Sequence, residues 1–405
     1  MPGPLAGARV IDMTTVLMGP YATQILGDMG AEVIKIEGPD GDGTRNLGPM
    51  RSPGMGPLFI NANRSKRSVV LDLKKQFGRT ALLRLAKTAD VLLYNVRPQA
   101  MARLKLSYGD LMAVNPRIIY VGAYGFGQNG PYAARPAYDD LIQGAVGLPT
   151  LIADAGADVP RYVPCTMADR ITALSAVNAV AAALYFRERT GEGQSIGIPM
   201  FETMLQFVLG DHLGGLTFDP PLGPPGYARL LAKERRPFKT KDGYICTLIY
   251  NDKHWKNFFE LIGQSELLER DPRFADLGSR AKHINELYRL VADVLVTRST
   301  SEWLIALDKA DIPVMPLRDL KSVLDDPHLK AIGFFEMVNH PTEGRIRSMA
   351  VPSTWSKSQP RATRHAPRLG EHSIEVLREM DFSEQEIATM LSEKSTMSPE
   401  CFREE

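Results

Sequence analysis

The sequence predicts a doubly wound α/β protein with a second, smaller α/β domain, and three observations carry that expectation. Short apolar segments alternate with helix-length periods through the first half of the chain, the pattern of βαβ units around a parallel sheet. A Gly- and Pro-rich stretch, Gly210 to Gly226, then interrupts the pattern as a connector. Beyond it a shorter alternation of strand and aromatic helix closes near residue 325, after which the tail returns.

The elements follow in order. Ala8 to Met13 reads as a strand, Gly19-Pro20 as a turn leading into an amphipathic helix that ends at Met29, and Glu32 to Glu37 as a second strand. Ser68 to Leu73, Val91 to Asn95 and Ile118 to Gly122 read as further strands, with a helix over Phe77 to Ala89. From Ala168 a helix carries Ile171, Leu174, Val177, Ala181 and Leu184, and stops at Thr190-Gly191, where glycine can take the left-handed cap. Its uncharged stretch, Ile171 to Phe186, is shorter than the roughly 20 apolar residues that span a bilayer and reads as a buried helix. In the second half, Lys241-Asp242-Gly243 forms a turn before a strand, Tyr244 to Ile249, and an aromatic helix surrounds Trp255, Phe258, Phe259 and Leu261. Ser301 to Ala310 is helical, Ile312 to Val314 a short strand, and Ser383 with Glu386 has the spacing of a capping box.

Composition narrows the functional classes. With 405 residues and 44% hydrophobic content the chain can bury enough core for two domains. Lys plus Arg (48) nearly cancel Asp plus Glu (47), so neither nucleic acid nor an anionic membrane is expected as a partner. Cys165, Cys246 and Cys401 are few, odd in number and far apart, which suggests neither a disulfide framework nor a metal cluster. With no charged-then-apolar leader at the N-terminus, a cytoplasmic location is expected.

Three places can carry chemistry. Asp169 stands in the first turn of the long helix, where unpaired N–H groups and the positive dipole end keep a carboxylate ionised and oriented as a nucleophile; Thr166-x-x-Asp169 equally has capping-box spacing. The loop Gly125 to Tyr132 leaves the end of a strand, where open α/β sheets bind ligands, though glycine-rich strand exits are also ordinary turns. Arg64, Lys66, Arg67, Lys74, Lys75, Arg97 and Arg103 fall at or beside strand ends and form either a phosphate-holding series or a solvated charged surface. Cys165 has no histidine in its local sequence and reads as an inert, buried thiol.

These residues sit in a collinear set of motifs. They include Gly19 to Gln24, Gly30 to Glu37, Asn63 to Ser68, Asn95-Val96-Arg97-Pro98, Gly125 to Tyr132, Ala168-Asp169, Arg187 to Gln194, Asp242 to Ile245 and Leu369 to His372. Through them the sequence resembles the class III CoA-transferase and acyl-CoA racemase superfamily from end to end. The resemblance implies a Rossmann-like large domain whose parallel sheet is built from both chain ends, residues 1–210 and 326–405, with a linker at 211–226 and a small domain at 227–325. It implies two subunits threaded as an interlocked homodimer. CoA would be met by Val16, Leu17, Leu71, Asp72, Lys74, Asn95, Val96, Arg97, Arg103 and Tyr138, and no cofactor is implied beyond CoA as part of the substrate.

In the transferases the aspartate matching Asp169 attacks an acyl-CoA thioester, and the resemblance implies an acyl-CoA and a carboxylic acid acceptor as partners. Racemases of the fold pair that aspartate with a histidine in the segment that here reads Arg135 to Asp140. Tyr138, with an ordinary pKa of about 10, is a poor substitute, which favours transfer over racemisation; a non-catalytic CoA-binding protein is the third reading. Leu17 and Gly38 replace a glutamine and an arginine of formyl-transferring relatives, which points away from formyl-CoA and oxalate.

Overall fold

The computed structural model describes residues 3–402. The chain divides into two compact units, one holding the residues up to Ala145, Pro164–Leu205 and the residues from Pro327 onward, the other Val146–Val163 and Gln206–Asp326.

The first unit is organised by six strands: β1 Arg9–Met13, β2 Glu32–Glu37, β3 Lys66–Val70, β4 Val91–Tyr94, β5 Ile119–Tyr124 and β6 Gln194–Pro199. They pair in parallel in the order β3-β2-β1-β4-β5-β6. Ile11 is in register with Ile34 on one side and Leu92 on the other, all fully buried, which is why these strands read as continuous apolar runs: both faces of the sheet are covered. On one face Leu82 and Leu85 of the helix Gln76–Ala86 and Val376 and Leu377 of the helix Ser373–Glu379 pack against Ile11, Ile34, Val69 and Leu92. On the other, the helix Met18–Asp28 packs against the helix Met167–Thr190.

Two expectations change here. Among the described residues the sheet draws every strand from residues 9–199, and the C-terminal return adds none to it. That segment instead forms an antiparallel hairpin, β10 Phe335–His340 and β11 Gly344–Met349, and helices that cover the free edge of β3. Val70 N donates to Ser373 Oγ at 3.0 Å, Thr396 Oγ1 to the Val70 carbonyl at 2.7 Å, and Ser65 N to the Arg364 carbonyl at 2.9 Å. Side-chain and loop partners satisfy the edge where a seventh strand would otherwise be needed. The long helix runs Met167–Thr190 with Gly191 as its left-handed cap, as expected, but less than half of its most apolar stretch is buried, against the buried helix expected.

The second unit has a three-stranded antiparallel sheet, β7 Phe238–Lys239, β8 Tyr244–Thr247 and β9 Val314–Pro316, in the order β7-β8-β9. Trp255, Phe258, Phe259, Phe274 and Trp303 form its aromatic core, Trp255 and Phe274 with ring centroids 5.0 Å apart.

Candidate active site

In a parallel sheet the crossover helix runs antiparallel to its strands, so the N-terminus of Met167–Thr190, which links β5 to β6, lies at the same edge as the carboxyl ends of the strands. The loops after β1, β3, β4 and β5 leave from that edge. Strand order reverses between β1 and β4, which opens a crevice there.

Thr15 and Val16 line the β1 side of that reversal. Asn95, just past β4, brackets Thr15 by accepting its N–H at 3.0 Å and donating to its carbonyl at 2.8 Å. Val16 is held at φ 69°, a left-handed conformation that costs a β-branched residue about 1–2 kcal/mol. The Asp42 carboxylate accepts the Val16 N–H at 3.2 Å, and Lys35 Nζ ties Asp42, at 3.1 Å, to the Thr14 carbonyl, at 2.7 Å. The Val16 side chain is exposed while that of Leu17 is buried, so Leu17 has its backbone to offer a ligand.

Beneath the loop, Lys66 Nζ donates to Asp12 at 2.9 Å, to the Pro20 carbonyl at 2.8 Å and to Asn63 at 2.8 Å. Burial pulls the Lys66 ammonium down to about 8 against the attraction of Asp12. Burial would raise the Asp12 carboxyl, but Lys66 and Lys35 outweigh it and hold Asp12 below the usual carboxylate range.

The basic series therefore splits. Lys66 is inaccessible, Arg64 is paired with Asp28 at 2.8 Å, and Arg67 is buried among Glu32, Glu375 and Glu379; these three build the unit. Lys75 lies 3.8 Å from Asp72. Lys74, Arg97 and Arg103 are exposed, Arg97 and Arg103 at the two ends of the helix Pro98–Arg103 after β4. Leu71 is buried, Asp72 accepts the Lys74 N–H at 3.0 Å, and Val96 and Tyr138 are exposed.

Asp169 is not part of a capping box: Thr166 makes no side-chain cap. The Asp169 N–H donates instead to Asp139 Oδ1 at 2.9 Å. Asp139 opens the helix Asp139–Ala145 and is itself buried; its Oδ2 accepts from Gln143 Nε2 at 2.6 Å, and that amide also donates to the Cys165 carbonyl at 3.3 Å. The dipole does not keep Asp169 strongly ionised. Burial, then the charge of Asp139, pushes its carboxyl up to about 7, with Arg170 pulling the other way. The Arg170 guanidinium lies over the Tyr21 ring at 4.7 Å. Cys165 is exposed, contrary to the buried thiol expected.

The Gly125–Tyr132 loop is fastened from the first turn of Met200–His212, the helix that follows β6. Glu202 accepts the Gly127 N–H at 2.8 Å, and Phe201 N donates to the Gly125 carbonyl at 2.9 Å. A Cβ on Gly125 would stand 2.2 Å from that of Ala137, so glycine lets the strand exit close against the segment leading to Asp139. Sequence reasoning missed Asp139, Gln143 and Glu202; the signal available for the first was the Asp139-Asp140 doublet ahead of a helical period. No group of three or more His, Cys, Asp or Glu suited to a metal occurs among the described residues.

Fold and site together define a doubly wound α/β protein with two carboxylates, Asp139 and Asp169, joined at the carboxyl edge of its sheet. The CoA-transferase family III profile matches residues 5–373. The succinate–glutarate CoA-transferase of Agrobacterium fabrum is 31% identical over 385 residues, covering 93% of this chain and 96% of its own. The acetyl-CoA:oxalate CoA-transferase of Acetobacter aceti is 36% identical over 340 residues, 81% of this chain and 84% of its own. The crystal structure of Rv3272 from M. tuberculosis superposes with a TM-score of 0.79 at 30% identity, covering 92% of this chain and 99% of that one. The chain belongs to CoA-transferase family III and is an enzyme.

Proposed function

We propose that the protein moves CoA from an acyl-CoA thioester to a carboxylic acid, with Asp169 as the covalent nucleophile. The observation that carries this reading is the carboxylate itself: Asp169 is half-buried at the start of the long helix and held through its own N–H by Asp139, and burial with the Asp139 charge pushes its carboxyl up to about 7, which leaves it more basic and so more nucleophilic than an ordinary aspartate. An Asp169 oxygen adds to the thioester carbonyl carbon, the C–S bond breaks, and CoA leaves as thiolate with a mixed anhydride on Asp169. The thiolate then attacks the Asp169 carbonyl, expels the donor acid as carboxylate and leaves an aspartyl thioester. The acceptor carboxylate attacks that thioester, releasing the thiolate again and forming a second anhydride; the thiolate attacks its acceptor-derived carbonyl, giving the new acyl-CoA and restoring Asp169. Exclusion of water protects both anhydrides.

CoA is placed along the crevice by the Thr15–Leu17 backbone, Leu71, Asp72, Asn95, Val96 and Tyr138. Lys74, Arg97 and Arg103 are the exposed cations that meet its phosphates. The relatives' names, succinate–glutarate and acetyl-CoA:oxalate, make dicarboxylic acids the first acceptors to try. An interlocked homodimer accounts for the long helix, whose Leu174, Tyr185 and Phe186 are exposed although the helix is apolar. A racemase would need a second proton carrier across the substrate carbon; Tyr138 occupies the segment that would supply it.

The test is mass spectrometry of the protein mixed with acyl-CoA thioesters, starting with succinyl-CoA, and trapped with hydroxylamine. An adduct on Asp169 that Asp169→Ala abolishes is expected. Deuterium wash-in at the thioester α-carbon without an acceptor acid, and no adduct, would replace transfer by racemisation.

A further inference from the structure

We propose that Asp139, pinned by Gln143, is the positioning residue of this site: it fixes the first turn of the long helix and supplies the fixed negative charge beside the reacting carboxylate. The inference deepens the reading of Asp169 as nucleophile and rests on it for its catalytic consequence.

The geometry has three parts. Asp139 Oδ1 takes the Asp169 N–H at 2.9 Å, doing from another helix what a local cap would do, while Thr166 leaves that role unfilled. Asp139 Oδ2 takes Gln143 Nε2 at 2.6 Å, one turn along the same short helix, so both oxygens are committed and the carboxylate cannot swing away. The same Gln143 amide donates to the carbonyl of Cys165, so the segment entering the long helix is held on both sides of Thr166. Asp139 is 8% exposed, and the two donors meet both of its buried oxygens.

The charged groups that face Asp169 are Asp139 from the Asp139–Ala145 helix and Arg170 from its own helix; the neighbouring Asp140 is exposed. Burial and Asp139 both favour the protonated form of Asp169, and Arg170 opposes them. A buried carboxylate that binds the nucleophile's backbone thus also raises the basicity of its side chain. Removing the charge while keeping an acceptor oxygen, as Asp139→Asn does, separates the two effects: the helix start is retained and the basicity falls.

The first measurement needs no substrate. Full-length protein is labelled with a carbodiimide and glycine ethyl ester from pH 5 to 9, and modification of Asp169, which requires its protonated form, is followed by peptide mass spectrometry. The wild-type midpoint is expected near neutrality, and that of Asp139→Asn at least one pH unit lower. The second uses succinyl-CoA with glutarate: kcat of Asp139→Asn at pH 8 is expected to fall at least tenfold with KM for succinyl-CoA changed less than twofold. If Asp139→Asn does not fold, Gln143→Leu keeps both carboxylates and releases Asp139; a kcat at least threefold lower with KM unchanged is expected.

A folded Asp139→Asn with the wild-type midpoint and kcat overturns the inference, as does a folded Gln143→Leu with wild-type kcat when the first variant cannot be made. A midpoint that moves while no thioester ever labels Asp169 would sink the transferase reading and leave the positioning role standing. Adducts on Asp169 with an indifferent midpoint would do the reverse.

Discussion

At Val16 a branched side chain sits in a backbone conformation that favours glycine, held there by Asp42 and, through Thr15, by Asn95. Val16→Gly is expected to stabilise the protein by about 0.5–1 kcal/mol, the relief of strain exceeding the added freedom of the unfolded chain, and to raise the denaturant midpoint. The same substitution is expected to weaken CoA binding, since the loop loses the rigidity the strain accompanies. Asp169 makes a second prediction with a defined sign. Its folded-state pKa, about 7, lies above the ordinary value of about 4, so between those pH values the native state holds more protons than the unfolded chain and stability falls as pH rises. Asp169→Asn removes that cost: it is expected to be more stable than wild type at pH 8 by about 2–4 kcal/mol and to lose this advantage at pH 4, by urea titration at both. The position of Asp169 in the first turn of a long helix was legible in the sequence, because an apolar helical period follows it. Asp139 was not, because the hydrogen bond that gives it meaning joins residues 30 apart in sequence and no local pattern records it.

Elements were legible in proportion to how far their hydrophobic pattern was set by the sheet core. β1, β2, β4 and β5 fall within a few residues of expectation. β3 was expected at Ser68 to Leu73 but runs Lys66–Val70, because its first two side chains are charges buried against Asp12 and against Glu32 with Glu379, which an apolar pattern cannot anticipate. β6 and the β10–β11 hairpin escaped notice for the opposite reason: much of each is exposed, so no buried run marks them. The loop between β5 and the Asp139 helix carries its own test. Gly125→Ala would drive a methyl against Ala137 and displace the segment that ends in Asp139. A folded protein with turnover lowered at least tenfold is expected, with altered amide exchange across residues 133–143 as the structural readout. Glu202→Ala should instead speed exchange of the Gly127 amide, because that N–H loses its acceptor.

At the level of the whole molecule, the apolar side of the long helix is the feature that asks for a partner. Sedimentation is expected to give twice the chain mass, and Leu174→Arg with Tyr185→Glu, both at exposed positions, to shift it toward the single chain. The free edge of β3 is satisfied by residues more than 290 positions later, the bond from Thr396 to Val70 spanning 326. That separation becomes a waiting time on the ribosome. At roughly 5–20 residues per second, β3 emerges about 15–65 s before the residue that covers its edge has been made. During synthesis the nascent sheet therefore carries an open strand that a neighbouring chain on the same message could pair with.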